Sequence, residues 1–342
     1  MTWLAFEDIC PSYATPNCAR LRCRICLQFL ACGNACPHTS WRVVRAIFGG
    51  TMKNIEAKGP NADQIEFWND AGGKNFVRHQ AGLDAMLGVF GNRAMEKSGL
   101  KSGDVVLDIG CGCGDTSIEM ARRVGPTGEV VGVDISEMML ARAEHVAQRA
   151  ELTNVFFELA DVETDPLHRD SFDLAFSRFG IMFFADPVAA LRNVHKVLHE
   201  DGRLAFACWQ TLAESPWIAL QAQAVVPFLA EEDRPPPADP DAPGPFSFGD
   251  PVRLRQTLTD AGFTNIEMED FGPEVALFGL KNIEDVLDFA LEVGPAATFF
   301  ELMDEPTQAK AREAVREAYQ PYLTDDGVVM KTSAWIVTAD KG

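Results

Sequence analysis

A short run rich in glycine is the segment of this sequence best suited to binding a ligand. Residues 108–114 read Asp-Ile-Gly-Cys-Gly-Cys-Gly and continue an apolar run that begins at Val105. Glycines between a buried strand and a helix allow positive φ angles and let a ligand approach the backbone. The spacing Gly-x-Gly-x-Gly departs from the Gly-x-Gly-x-x-Gly turn that binds dinucleotides. We therefore expect a cofactor site here, and an NAD(P)-dependent oxidoreductase is the less favoured interpretation.

Asp108 narrows the kind of ligand that this turn can hold. Its carboxylate comes two residues before Gly110, where it would repel the pyrophosphate of a dinucleotide. A ligand with a positive end and no phosphate suits the turn better. S-adenosylmethionine has an α-ammonium group, a sulfonium and a neutral adenosine, and it is the cofactor that we expect.

Further motifs follow in chain order. Val-Val-Gly-Val-Asp ends at Asp134, Leu-Ala-Asp-Val contains Asp161, and residues 172–179 read Phe-Asp-Leu-Ala-Phe-Ser-Arg-Phe. Together with residues 108–114, these motifs resemble those of the class I S-adenosylmethionine-dependent methyltransferases, and the resemblance covers about residues 52–338. Within that group the sequence is most similar to the small-molecule branch that contains the ubiquinone and menaquinone C-methyltransferases.

The resemblance implies a role for each motif residue. Asp108 would hold the amino-acid end of the cofactor, Asp134 the ribose hydroxyls and Asp161 the adenine amino group. Trp68 and Phe76 would help to close the site, and an aromatic wall attracts a sulfonium through cation–π interaction. The other expected cofactor contacts lie in the turn, beside the acids and around the end of the fourth strand: Gly110, Cys111, Gly112, Gly114, Ile135, Met139, Val162, Ser177 and Phe179.

The expected reaction is methyl transfer by in-line displacement to a small, apolar or aromatic acceptor. Alignment of the nucleophile, the methyl group and the sulfur matters most, and an oxygen or carbon nucleophile can also need a general base. His79 is the candidate base, because it lies in the N-terminal helical segment that folds over the cofactor in the family. Tyr319 shares an apolar helix face and is expected to pack in the core. The alternative to an enzyme is a catalytically silent protein that binds the cofactor and serves regulation or assembly.

The segments around these motifs alternate between strand and helix patterns. Ser136 is expected to cap a helix that buries Met139, Ala143, Val146 and Ala150. The alternation predicts an α/β, Rossmann-like fold with a seven-stranded, mostly parallel sheet, helices on both faces and an inserted helical cap. The predicted strands are Val105–Ile109, Val130–Val133, Val155–Leu159, Phe172–Phe176, Leu204–Cys208, Ile266–Asp270 and Val328–Thr338.

The composition divides the chain near Met52. Residues 1–51 hold six of the nine cysteines and carry five arginines against two acids. We interpret this leader as sequence translated upstream of a start at Met52, with a zinc module around Cys23-x-x-Cys26 and an organelle transit peptide as alternatives. Residues 52–342 are expected to form one methyltransferase domain. Its parts are an N-terminal helical lid at about 61–98, a core at about 100–210, a Pro-rich flap at about 231–250 and a helical cap at about 281–322.

The charge of the chain argues against nucleic acid as a partner. Its formal net charge is −20, which repels phosphate backbones. No apolar run approaches the roughly 18–20 residues that span a bilayer. We expect a small-molecule acceptor, no nucleic-acid partner, no membrane span, no metal, a cytoplasmic location and a homodimer.

Overall fold

A seven-stranded sheet organises the described part of the chain. The structure is a computed structural model that describes residues 55–167, 172–234, 242–293 and 296–342. Its strands are β1 (Val105–Ile109), β2 (Glu129–Asp134), β3 (Val155–Leu159), β4 (Phe172–Arg178), β5 (Leu198–Trp209), β6 (Thr264–Phe271), β7 (Glu274–Ala276), β8 (Leu323–Thr324), β9 (Gly327–Lys331) and β10 (Ala334–Asp340). The large sheet has the order β3-β2-β1-β4-β5-β10-β6.

The direction of the strands confirms the predicted fold class. Strands β1 to β5 pair with one another in parallel, whereas β10 runs antiparallel to both β5 and β6. Strand β1 lies between β2 and β4, so that Leu107 pairs with Val131 on one side and Ala175 on the other. These strands are apolar because both faces of a parallel sheet are covered, and Leu107, Leu174 and Phe176 are at most 1% exposed.

Eleven helices are found in the described residues. They are α1 (Ala62–Trp68), α2 (Ala71–Arg78), α3 (Gln80–Lys97), α4 (Asp115–Val124), α5 (Glu137–Arg149), α6 (Pro187–Val197), α7 (Pro216–Val225), α8 (Pro251–Ala261), α9 (Ile283–Val293), α10 (Ala297–Glu301) and α11 (Glu305–Tyr319). Helices α1 to α3 occupy the segment expected to be a lid, and α9 to α11 lie between β6 and β10, where a cap was expected.

The start of α5 is set by the side chain predicted to cap it. Ser136 Oγ accepts a hydrogen bond from the Met139 amide, which would otherwise lack a partner in the first turn. The buried face of this helix differs in part from the prediction. Met139 and Ala143 are buried as expected, but Leu140 and Ala147 complete the face, whereas Val146 and Ala150 are partly exposed.

The prediction of one last strand over Val328–Thr338 is wrong. The chain forms β9, turns at residues 332–333, and only then enters the large sheet as β10. The turn is held by polar side chains that leave the strand pattern: Thr332 Oγ1 donates to the Pro273 carbonyl at 2.6 Å, and Ser333 Oγ donates to Gln210 Oε1 at 2.7 Å. Strand β9 instead forms a separate three-stranded sheet with β7 and β8.

The structure contains one helix that was not predicted, and it leaves two predicted segments undescribed. Helix α7 follows β5 in a stretch for which no helix was predicted, and a proline at its first turn suits its start. The leader at 1–51 and residues 235–241 of the expected flap lie outside the described residues. Among the helices that the structure describes, each is too short or too polar to cross a lipid bilayer.

Candidate functional site

The predicted site residues gather at the carboxyl ends of β1 to β4. The chain passes from β1 outward to β2 and β3 on one side, and β4 lies on the other side of β1. The order of the strands therefore reverses between β1 and β4, and such a point leaves a crevice above the sheet in which ligands bind.

The three glycines of the turn after β1, Gly110, Gly112 and Gly114, each have a positive φ angle, but their surroundings differ. A Cβ on Gly110 would lie 2.8 Å from the Gly180 Cα, and one on Gly114 would lie 2.9 Å from the Ala143 Cβ. A Cβ on Gly112 would meet nothing within 4 Å. Gly110 and Gly114 therefore let the chain pack closely, whereas Gly112 borders open space that a ligand can enter.

Asp108 lies beneath this turn and is fully buried. Its Oδ2 accepts hydrogen bonds from Thr116 Oγ1 at 2.7 Å and from Ser117 Oγ at 2.5 Å. Its Oδ1 has no hydrogen-bond partner among the described residues. Burial raises the pKa of Asp108 to about 6, although the two hydroxyls oppose the shift. The side chain thus offers a buried, unpartnered acceptor, which suits a cationic ligand group.

Asp134 ends β2 and ties the turn to the following helix. Its Oδ2 accepts from the Gly112 amide at 2.8 Å, and its Oδ1 accepts from the Ser136 amide at 2.9 Å. Burial raises the pKa of Asp134 to about 6. Each carboxylate oxygen has a second lone pair, so that Asp134 can still accept from ligand hydroxyls beside Gly112.

Residues next to Asp134 anchor the first helix. The Ile135 carbonyl accepts from Asn69 Nδ2 at 2.8 Å, and the Trp68 carbonyl accepts from Ser136 Oγ at 2.7 Å. The Trp68 ring meets the rings of Phe76 and Phe183 edge to face, with centroids 5.0 and 5.1 Å apart. The aromatic pair predicted from the family resemblance is thus brought directly to the carboxyl end of β2.

Asp161 follows β3 and is also buried. Its Oδ1 accepts from the Glu163 amide at 3.0 Å and from Asn61 Nδ2 at 3.4 Å, and its Oδ2 accepts from Thr164 Oγ1 at 3.0 Å. Sequence reasoning missed Asn61, whose own Oδ1 is buried and unpartnered within the described chain. The missed residue precedes α1 directly, and nothing in its local sequence signals a contact one hundred residues away.

The remaining predicted cofactor contacts fall into two groups. Cys111, Met139 and Val162 are buried beside the three acids, and burial raises the pKa of the Cys111 thiol well above its usual value. Ser177 turns inward instead, because its Oγ donates to the Ile109 carbonyl at 2.8 Å and ties β4 to β1. No group of three or more histidines, cysteines or acids in the described ranges could hold a metal ion.

Phe179 lies just beyond the end of β4 with a φ of 63°, which is strained for a residue with a side chain. Its ring stacks on Trp209 at the end of β5, with centroids 4.1 Å apart, and lies edge to face with Phe90 at 5.5 Å. The strained backbone therefore directs the Phe179 ring toward an aromatic cluster beside the glycine turn.

His79 is the junction between α2 and α3 and faces the cap helix α9. Its Nε2 lies 2.6 Å from Glu292 Oε2, and its ring meets Phe289 with centroids 4.6 Å apart. A carboxylate can only accept, so this contact assigns the ring hydrogen to Nε2 and leaves Nδ1 as the free basic nitrogen. The structure thus places the candidate base between the lid segment and the cap.

Arg178 is a second residue whose role sequence reasoning missed, although it stands inside a quoted motif. Its guanidinium donates to Asp84 Oδ1 of α3 at 2.8 Å and to Asp115 Oδ2 of α4 at 2.7 Å, and its side chain is 12% exposed. In the sequence, Asp84 precedes the glycine turn after β1 and Asp115 directly follows it. Arg178 therefore links α3 of the lid segment to the helix that follows the glycines.

Parts of this chain match known proteins in sequence. Residues 100–229 match the family model described as a methyltransferase domain. Demethylmenaquinone methyltransferases of Staphylococcus aureus strains JH9 and Newman are 29% identical to this chain over 199 residues, which cover 56% of this chain and 81% of each relative.

Solved structures were matched as well. YcgJ protein from Bacillus subtilis superposes with a TM-score of 0.48 at 18% identity, covering 74% of this chain and 97% of that one. A SAM-dependent methyltransferase from Aquifex aeolicus gives a TM-score of 0.40 at 20% identity, covering 64% of this chain and 93% of that one.

Proposed function

We propose that this chain, in which residues 100–229 are a methyltransferase domain that uses S-adenosyl-L-methionine, transfers a methyl group to a small apolar or aromatic molecule. One observation carries the proposal: three buried acids, Asp108, Asp134 and Asp161, end successive neighbouring strands around the open space at Gly112. Acceptor-only side chains so arranged suit a ligand with an ammonium, two hydroxyls and an amino group, and they oppose a phosphate.

Each acid has a part of the cofactor that its free lone pairs fit. Asp108 Oδ1 would accept from the ammonium, Asp134 from the ribose hydroxyls, and Asp161 together with Asn61 from the adenine amino group. The buried side chains beside them would line the cofactor without polar contacts: Cys111, Met139 and Val162. Ile135 would contribute through its backbone, which Asn69 holds in place.

The cofactor, when bound, supplies a methyl group on a sulfonium, and the protein's task is to align and shield it. Trp68, Phe76 and Phe179 would exclude water, and their rings attract positive charge. Ser177 has a positioning part, since its bond to the Ile109 carbonyl holds the ends of β1 and β4 together.

His79 is the proposed general base where the acceptor must lose a proton. Glu292 orients its ring through Nε2 and stabilises the positive charge that forms when Nδ1 takes a proton. Arg78 also reaches Glu292 Oε2, at 3.0 Å, and so shares the carboxylate with the imidazole.

The nature of the acceptor follows from what surrounds the end of β4 and β5. Aromatic rings dominate there, the net charge of −20 disfavours nucleic acid, and the relatives' name refers to a quinone-type small molecule. A cytoplasmic location and a homodimer stay predictions from the sequence.

Transfer of an isotopic label tests the proposal. The protein is incubated with methyl-labelled S-adenosyl-L-methionine and a small-molecule metabolite extract, and the products are analysed by mass spectrometry. We expect S-adenosylhomocysteine and a labelled small molecule with the wild-type chain, and much less of both with Asp134→Ala when the cofactor concentration is near the wild-type Kd. Binding of the cofactor without either product would instead favour a catalytically silent binding protein, and binding of NAD(P)H in its place would favour an oxidoreductase.

A further inference from the structure

A line of aromatic rings leads from the cofactor turn toward the cap. Gly180 packs against Gly110 of the turn, and the ring of the preceding Phe179 stacks on Trp209. Trp209 in turn meets Trp217 of α7, with centroids 5.6 Å apart and planes inclined by 63°. Two successive ring contacts, Phe179 with Trp209 and Trp209 with Trp217, therefore connect the end of β4 beside the glycine turn to α7.

Three polar atoms at the start of α7 are buried and have no hydrogen-bond partner within the described chain. They are Ser215 Oγ, Trp217 Nε1 and Gln221 Oε1. Ser215 and Gln221 are 0% exposed and Trp217 is 7% exposed. Trp217 and Gln221 are four residues apart on one helix and so lie on the same face. Buried polar atoms are rarely left unpaired, and three within two turns of one another indicate a site that a ligand completes.

Tyr319 of α11 fixes which atoms of this face are free. Its hydroxyl donates its only hydrogen to the Trp217 carbonyl oxygen at 2.9 Å. Gln221 must then donate to the same hydroxyl from Nε2, at 2.5 Å. The amide is thereby held in one orientation, with its Oε1 as a free acceptor, while Trp217 Nε1 is a free donor.

We propose that Trp217 and Gln221, with Ser215, form the acceptor-binding subsite, and that it selects an aromatic ring that carries a hydroxyl group. A hydroxyl can accept from Trp217 Nε1 and donate to Gln221 Oε1, whereas an ether oxygen can only accept. The rings of Phe179, Trp209 and Trp217 supply aromatic surface for the ring of the acceptor. This inference rests on the proposed function, which requires an acceptor beside the cofactor.

A pair of model compounds that differ only in whether the oxygen carries a hydrogen or a methyl group tests the subsite. The full-length protein is saturated with S-adenosylhomocysteine, and 2-naphthol or 2-methoxynaphthalene is titrated against it by ligand-observed NMR. We expect the wild type to bind 2-naphthol at least about fivefold more tightly, because 2-methoxynaphthalene leaves the buried Gln221 Oε1 without a donor. In Gln221→Met, which loses the acceptor for the hydroxyl hydrogen, the preference should fall below about twofold. Trp217→Phe keeps a ring but loses an N–H from which either oxygen can accept, so it should weaken the binding of both compounds several-fold and leave the preference in place.

Trp335→Phe is the matched control. It also removes an indole N–H, but that group donates to the Gly249 carbonyl at 3.0 Å, so the affinities for both compounds should stay at their wild-type values. Thermal unfolding of each variant shows that it is folded.

Calorimetry of S-adenosylhomocysteine on the same samples distinguishes failure of the proposed subsite from failure of the proposed function. If the wild type binds S-adenosylhomocysteine but does not prefer 2-naphthol, if the preference persists in Gln221→Met, or if Trp217→Phe binds both compounds as tightly as the wild type, the subsite is wrong and buried water partners these atoms. If S-adenosylhomocysteine does not bind to the wild type, the proposed function fails as well.

Discussion

At the residue scale, the chemistry of this site comes from carboxylates placed where water cannot reach them. Asp108 and Asp134 are buried, and burial raises the pKa of each to about 6. The three acids could be predicted from the sequence, because each lies within two residues of the carboxyl end of a predicted strand. Asn61, Glu292 and Gln221 could not, because their contacts join segments about a hundred or more residues apart.

Cofactor binding should depend on pH through Asp108. An ammonium favours the ionised carboxylate, so the affinity for S-adenosylhomocysteine should rise as pH increases through about 6 and be about tenfold weaker at pH 5 than at pH 7.5. Calorimetry at the two pH values measures this change. Asp108→Asn should bind more weakly and show a smaller pH dependence than the wild type, with the remainder due to Asp134, whose pKa is also raised to about 6. Equal affinity of the wild type at both pH values would contradict the assignment of Asp108.

The stability of the cofactor-free protein should change in the opposite direction. The pKa of Asp108 is raised from 3.8 to about 6 on folding, so the folded chain binds more protons than the unfolded chain between these values. Its contribution to the free energy of unfolding is therefore present below about pH 4 and is lost as pH rises to about 6. Bound cofactor offsets this loss by partnering the ionised form.

At the element scale, the site depends on how the N-terminal helices are joined to the sheet. Helix α3 was predictable, because Leu83, Met86 and Phe90 are spaced three and four residues apart in the sequence, and the structure buries them as one face. Its attachment was not, because it rests on single polar contacts such as the one from Arg178 to Asp84. Likewise, β7 and β8 span three and two residues and carry too little pattern to be predicted.

Replacing Arg178 should loosen the link between α3 and α4. Arg178→Met removes both ion pairs and leaves Asp84 and Asp115 facing each other, so the free energy of unfolding should fall by about 2 kcal/mol or more. Urea denaturation measures this loss, and hydrogen exchange of α3 should become faster.

Arg123→Met is the control for Arg178, because Arg123 also bridges α4 to α3, but at the surface: it donates to Asn92 of α3 and pairs with Glu119 of its own helix. Exposed pairs contribute little, and its loss should stay below about 1 kcal/mol. An equal effect of the two substitutions would show that Arg178 has no special part in joining these helices.

At the scale of the whole molecule, the sheet order explains why the site is where it is. The reversal between β1 and β4 places the glycine turn, the acids after β1 to β3 and the aromatic cluster after β4 and β5 along one edge. The alternation of strands and helices made this topology predictable. The turn at residues 332–333 was not, because the contacts of Thr332 and Ser333 reach residues distant in sequence.

Calorimetric titration of S-adenosyl-L-methionine tests the central claim, that this edge of the sheet binds the cofactor. Asp134 is buried against Gly112, whereas Glu137, three residues later, is exposed. We predict that Asp134→Ala weakens binding at least about tenfold, since it removes the acceptors for two hydroxyls, and that Glu137→Gln leaves it unchanged. An affinity of Asp134→Ala equal to that of the wild type would contradict the account.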